Sequence, residues 1–217
     1  ENELEIAGED AGGICGAGFR GDVENCTNSG DITNLYSGGI CGADFGKAKV
    51  GNILNCSNTG NMTGNAERGG GIVGRQAGNE GGIVNISYCY NTGVIDVVCS
   101  GITGEMTGNK GGDVTIKHCY NIGPINENYA TGLVGYRTGN NEGTVRIFNC
   151  YNAGDGKGDR QHQSGICGWK PGDTTESSYS SGGTVEIFNC WNSGQNLVYS
   201  ICGAIEDRPA SIIVKNC

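Results

Sequence analysis

Long hydrophobic runs are missing from this sequence. No window of roughly 18 consecutive apolar residues occurs, so no helix is expected to span a membrane. No ten-residue stretch keeps a helical period of apolar residues either, which argues against bundles and coiled coils. Proline is scarce, with 3 of 217 residues, and the glycines follow no G-X-Y triplet, which excludes collagen. Basic residues are outnumbered: the formal net charge is -9, so neither nucleic acid nor insertion into a membrane is expected. Histidine occurs only twice, and the cysteines show no repeated C-x-x-C and no H-x-x-x-H. A zinc framework is therefore not expected, and no metal or cofactor is assigned. The chain opens at Glu1 without a signal peptide or lipidation motif, and reads as a mature chain or an excised piece of a longer protein.

What is abundant is glycine, 42 residues, together with asparagine and 12 cysteines. Two short signatures alternate along the whole length. The first, G-[I/L]-x-G, runs from Gly13-Ile14-Cys15-Gly16 through copies at Gly39, Gly71, Gly101, Gly132 and Gly165, and ends as Ser200-Ile201-Cys202-Gly203. The second, C-x-N-x-G, is led by Cys26, Cys56, Cys89, Cys119, Cys150 and Cys190, with Cys217 as a seventh leader. Its asparagines are Asn28, Asn58, Asn91, Asn121, Asn152 and Asn192. Three residues before each leading cysteine stands a branched apolar residue: Val23, Ile53, Ile86, Ile116, Ile147, Ile187 and Val214. Five of these carry a second apolar residue two positions earlier, the period-two pattern of a strand with one buried face. A further apolar residue recurs six positions past the cysteine at Ile32, Met62, Ile95 and Ile125.

A repeat of about thirty residues built from short Gly-bounded strands predicts an all-β fold, a β-solenoid of about seven coils with three short strands per coil. At ~4.8 Å per coil it would form a rod roughly 34 Å long. The whole chain, 1–217, is one domain in this reading: coils at about 11–38, 39–70, 71–100, 101–131, 132–164, 165–199 and 200–217, with 1–10 a partial coil. The repeated Ile residues fill the interior. Glycine takes left-handed or close-approach positions, where a Cβ would clash. The asparagine two places after each cysteine tolerates a left-handed turn and can bond its amide to its counterpart one coil away.

These residues resemble the GLUG repeat family. The likeness is greatest at Gly132-Leu133-Val134-Gly135 followed by Phe148-Asn149-Cys150-Tyr151-Asn152-Ala153-Gly154. A second stretch is Gly70-Gly71-Ile72-Val73-Gly74 followed by Tyr88-Cys89-Tyr90-Asn91-Thr92-Gly93. The resemblance implies an extracellular or bacterial cell-surface location, since such repeats occur in large surface proteins, including adhesin-like proteins and IgA-cleaving metallopeptidases. This chain has no H-E-x-x-H, so no peptidase activity carries over.

Candidate chemistry is limited. The turn cysteines persist in coils that have no second cysteine, which favours a buried column of small thiols, with disulfides between stacked positions as the alternative. His118 and His162 fall at different phases of the repeat and suggest no triad. Asp96, Glu105, Glu127 and Glu186 lie on or near strands without matched phases, so no catalytic residue is assigned, and a polysaccharide-active β-helix is kept as a minor alternative. Asp155-Gly156-Lys157-Gly158-Asp159 looks superficially like a calcium loop but lacks the remaining ligands. Tyr90, Tyr120, Tyr151 and Trp191 each follow a turn cysteine and form a stripe pointing away from it. That stripe, with Trp169 and Tyr179 in the enlarged loop Trp169–Gly183, is the candidate binding surface for a glycan or a host protein.

The ends carry a last expectation. Written after Cys217, Glu1 would begin the missing half coil: Asn2 falls on the turn asparagine and Ile6 on the apolar position six past the cysteine. Head-to-tail stacking with copies of itself, or continuation into adjoining repeats, follows as the expected partnership.

Overall fold

The computed structural model describes residues 1–157, 161–174, 182–204 and 210–217. Among these residues there are thirteen strands and no helix. The odd-numbered strands are β1 (Asp22–Glu24), β3 (Val50–Leu54), β5 (Ile83–Ser87), β7 (Asp113–Lys117), β9 (Thr144–Phe148), β11 (Thr184–Phe188) and β13 (Ser211–Lys215). They pair in that order into a seven-stranded parallel sheet. The even-numbered strands have two residues each: β2 (Thr27–Asn28), β4 (Ser57–Asn58), β6 (Tyr90–Asn91), β8 (Tyr120–Asn121), β10 (Tyr151–Asn152) and β12 (Trp191–Asn192). They stack as a second, six-stranded parallel sheet. Successive coils thus lie directly over one another, which is a β-solenoid.

Two segments per coil form strands; the remaining paired segments are single parallel bridges. One column of bridges runs Ile6, Ile32, Met62, Ile95, Ile125, Gly156, and another runs Cys15, Cys41, Val73, Thr103, Val134, Cys167, Cys202. The short G-[I/L]-x-G segment bends too tightly to pair over more than one residue at a time. Asn2 bridges to Asn28 and Ile6 to Ile32, so residues 1–6 stack beneath the first complete coil in the same phase.

Strict register follows from the period-two pattern. Ile86, Ile116, Ile147 and Ile187 face one another across β5, β7, β9 and β11, and all four are fully buried. A slip by one residue would turn each outward. The isoleucines of G-[I/L]-x-G complete this core, while Ile6, Ile32, Met62, Ile95 and Ile125 build a smaller second one. The second coil shows how volume is balanced. Gly51 stands where later coils have Val84 and Val114, and the Phe45 ring takes the space: a Cβ at Gly51 would lie 2.7 Å from Phe45 Cε1. Later coils restore the valine and put Ala77 and Thr107 at the Phe45 level, as the bonds from Gly78 N–H to Phe45 O and from Gly108 N–H to Ala77 O show.

The left-handed residue of the cysteine turn is not the asparagine expected above. It is the residue before the cysteine: Asn25, Asn55, Tyr88, His118, Asn149, Asn189 and Asn216 all have φ between 53 and 56°. The later asparagine lies in a short strand, because its amide must point inward along the rod rather than close a turn. Tyr88 and His118 hold a conformation disfavoured for bulky side chains, and their rings stack at 4.9 Å.

Because the central coils are packed on both sides, position along the rod should set the cost of truncation. Ile116→Ala, fully buried in β7, is expected to lower unfolding free energy by about 2–5 kcal/mol. Val214→Ala in β13, 43% exposed, should cost under about 1 kcal/mol. Urea unfolding followed by circular dichroism measures both, and equal losses would contradict this account.

Candidate functional site

The turn asparagines form a continuous amide ladder. Each Nδ2 donates to the Oδ1 of the next coil, from Asn2 through Asn28, Asn58, Asn91, Asn121 and Asn152 to Asn192, at 2.6–2.8 Å. From Asn28 to Asn192, the same Nδ2 also donates to the carbonyl of the glycine two residues on, at 2.7–3.1 Å. Both amide hydrogens are used, so a fully buried polar group costs little. A second ladder, not anticipated from sequence, runs Asp44, Asn79, Asn109, Asn141. Its members sit in long corner turns without a fixed motif, so only the stacking reveals it.

The cysteines form a parallel column. The backbone N–H of Cys26, Cys56, Cys89, Cys119, Cys150 and Cys190 each donates to the Sγ of the next turn cysteine at 3.4 Å, ending on Cys217. Each thiol in turn reaches the carbonyl two residues earlier, at 3.2–3.4 Å. All twelve cysteines are free, and eight of them, Cys99 included, are buried. Burial raises the Cys119 thiol well above its ordinary value and pushes Cys99 up to about 12. Such thiols are unreactive packing groups.

The aromatic stripe lies outside this column. Tyr90, Tyr120, Tyr151 and Trp191 stack face to face, with centroids 4.9, 5.0 and 4.9 Å apart and planes within 3–7°. Thr27 and Ser57 continue the same position in the earlier coils. The tyrosines are half-buried by one another and Trp191 is 54% exposed at the end of the stack. The result is a flat aromatic ribbon with accessible ring edges.

Trp169 belongs elsewhere. It packs against His162 (4.4 Å), Tyr129 (5.3 Å) and Tyr136 (5.6 Å), with the Lys170 ammonium 4.5 Å from its ring. With Glu67, Arg68, Val98, Tyr129 and Tyr136 it lines a cleft of about 310 Å³. At the inner end lies Glu105, whose side chain is 1% exposed, with Arg68 Nε at 3.4 Å and Arg75 Nε at 3.8 Å. Neither carboxylate oxygen accepts a hydrogen bond. Sequence reading singled out Trp169 and Glu105 separately; Arg68, Tyr129 and Tyr136 were missed because they share no motif and converge only through stacking. Burial raises the pKa of Tyr136.

The other acids are dispersed, apart from one pair. Asp96 and Glu127 line a neighbouring depression of about 490 Å³ with Tyr129. Asp96 accepts from Asn126 Nδ2 (2.6 Å) and Glu127 from its neighbour Asn128 N–H (2.8 Å). Glu186 pairs with Arg146 at 3.3 Å. His118 stacks on Tyr88, far in sequence and phase from His162. Asp155 accepts from Gln195 N–H at 2.8 Å, whereas Gly158, Asp159 and Tyr179 lie outside the described residues. Among the described residues no group of three or more His, Cys, Asp or Glu is placed to hold a metal ion, and no helix is long and apolar enough to cross a membrane.

Burial of the Cys99 thiol sets a pH dependence with a defined sign. In the unfolded chain Cys99 ionises near 8.5, whereas in the fold it stays protonated to about 12. At this thiol the folded state therefore holds more protons above pH 8.5, and the stability it contributes falls as pH rises, by up to about 1.4 kcal/mol per pH unit. Urea midpoints between pH 7 and 10 should decline, and Cys99→Ala should flatten the decline; an unchanged slope in that variant would refute the assignment.

Comparison with known proteins adds one match. No curated protein and no solved structure matches the chain. Residues 7–33, which include the first copy of both signatures, carry the GLUG motif.

Proposed function

We propose that this chain is a non-enzymatic structural module of an extracellular or bacterial cell-surface protein, a short rigid rod that joins to further coils. The observation that carries the reading is the unbroken run of ladders to both ends. Among the described residues β13 pairs only with β11, and β1 only with β3, which leaves an unpaired parallel edge at either end of that sheet. The Asn192 amide and the Cys217 thiol extend the polar and thiol columns to that face. Such edges are templates for the next coil, whether of adjoining repeats in one polypeptide or of a second copy stacked head to tail. Exposed parallel edges with matched ladders favour a heterologous contact, which repeats into a filament.

A second reading is favoured by the aromatic ribbon of Tyr90, Tyr120, Tyr151 and Trp191. Coplanar rings along a rod would hold a glycan or a host protein surface in an adhesin-type contact.

Sedimentation and negative-stain electron microscopy of the purified chain test the first reading. Rods that lengthen with concentration, and that disappear when Val214→Pro removes an outward edge donor from β13, are the expected result. A strictly monomeric particle at every concentration would exclude self-stacking. Incubation with neutral and acidic polysaccharides should give no products; turnover abolished by Asp96→Asn or Glu127→Gln would establish an enzyme instead.

A further inference from the structure

At one corner of the coil a column of outward side chains is interrupted. Tyr36, Arg68, Tyr129 and His162 occupy left-handed backbone there, with φ of 62, 63, 59 and 58°. Their coils are linked by bonds from Tyr36 N–H to Glu67 O (2.9 Å), Arg68 N–H to Val98 O (2.6 Å) and Tyr129 N–H to Gln161 O (2.9 Å). The coil between Arg68 and Tyr129 is one residue shorter at this corner than the next: Ser100 comes five places after Ile95, against six from Ile125 to Thr131. Cys99 keeps the inward place that Ser37 and Ala130 hold in other coils; it is 3% exposed, clusters with Ile95 and Ile125, and its thiol bonds to the Ala66 carbonyl. The outward place falls to Val98, a rung too short to fill its level, and Arg68 and Tyr129 stand two coil spacings apart, roughly 9.6 Å. The cleft of about 310 Å³ lies over this short rung.

The geometry points to a neutral pyranose, a single sugar unit of a glycan, seated in the gap between Arg68 and Tyr129. Its apolar C–H face lies on the Tyr129 ring, as aromatic neighbours stack elsewhere in the column, while Val98 forms the apolar back wall. Its hydroxyls need both donors and acceptors. Arg68 donates, because its guanidinium is 45% exposed and held from behind by the buried Glu105 carboxylate. Glu67 at the rim accepts.

Charge narrows the occupant. Glu67 lines the gap, and Asp96 and Glu127 line the adjoining depression, so a sulfate, phosphate or uronate would be repelled. A quaternary ammonium is disfavoured by Arg68 in the wall, and by Tyr136 and Trp169 being stacked on one another at 15° rather than opened into a cage. A purely aromatic ligand would cover Glu67 and Arg68 without bonding them. The volume lies at the lower end of small-ligand sites, about 300–1,000 Å³. This site uses none of the residues of the aromatic ribbon and does not depend on stacking of the rod.

The test titrates the full chain by calorimetry and saturation-transfer NMR with the methyl glycosides of glucose, galactose, mannose and N-acetylglucosamine, and with glucuronate and choline as charged probes. Saturable binding of at least one neutral glycoside, stronger than that of either charged probe, is expected. Tyr129→Ala should weaken it at least about tenfold through loss of the stacking face, Val98→Trp should abolish it by filling the gap, and Tyr120→Ala in the ribbon should leave it unchanged. Thermal unfolding monitors each variant, and Val98→Trp carries the test if Tyr129→Ala fails to fold. No saturable binding of any neutral glycoside, tighter binding of choline or glucuronate, or binding that survives Val98→Trp overturns the proposal.

Discussion

Each coil must present the next with a backbone edge at matching height, because parallel pairing sets a rise of about 4.8 Å. At that spacing a side chain meets its counterpart one coil away before it meets anything else. A residue is therefore stable in a column only if it is compatible with itself. Isoleucine is, through apolar contact. Asparagine is, because its amide carries donor and acceptor together and can bond an identical group above and below. A lone buried carboxylate or ammonium is not, and charged side chains lie outside, as in the Asp113–Arg146–Glu186 chain across β7, β9 and β11, with the exception of Glu105, which is buried beside Arg68 and Arg75.

Glycine follows from the same constraint. Where the coil turns inward, backbone approaches backbone: a Cβ at Gly93 would run into the carbonyl of Gly60, and one at Gly123 into that of Gly93. Cysteine fits between these extremes. Its thiol is small enough for a corner beside the isoleucine column, and it accepts from the cysteine N–H of the preceding coil while donating to a carbonyl of its own coil. Serine could make the same bonds, but would lose the apolar contact that Cys119 and Cys150 make with the core.

Regularity of this kind builds a scaffold and leaves little room for a site. Places where something specific can bind are departures from the repeat. The corner at Val98 is the clearest. Shorter here than its neighbours, this coil places only a valine in the outer column, and the cleft between Arg68 and Tyr129 opens over it, with Glu105 beneath. Glu105 itself takes a column position where the following coils carry Tyr136 and Trp169, so three unlike residues converge on one surface.

Coil architecture, the buried isoleucine columns and the phase of residues 1–6 were legible in the sequence, because period-two patterning and the fixed spacing within each signature are one-dimensional records of stacking. The positions of Cys89 and Tyr90, adjacent residues on opposite faces, follow from that alternation alone. What the tertiary structure decided was which irregular residues meet. Coil-to-coil steps vary from 27 to 40 residues, so corner residues such as Arg68, Tyr129 and Trp169 cannot be aligned by counting. The left-handed corner was misplaced for a related reason: asparagine suits both a turn and an amide ladder, and only the backbone path shows that Asn55 makes the turn while Asn58 makes the ladder.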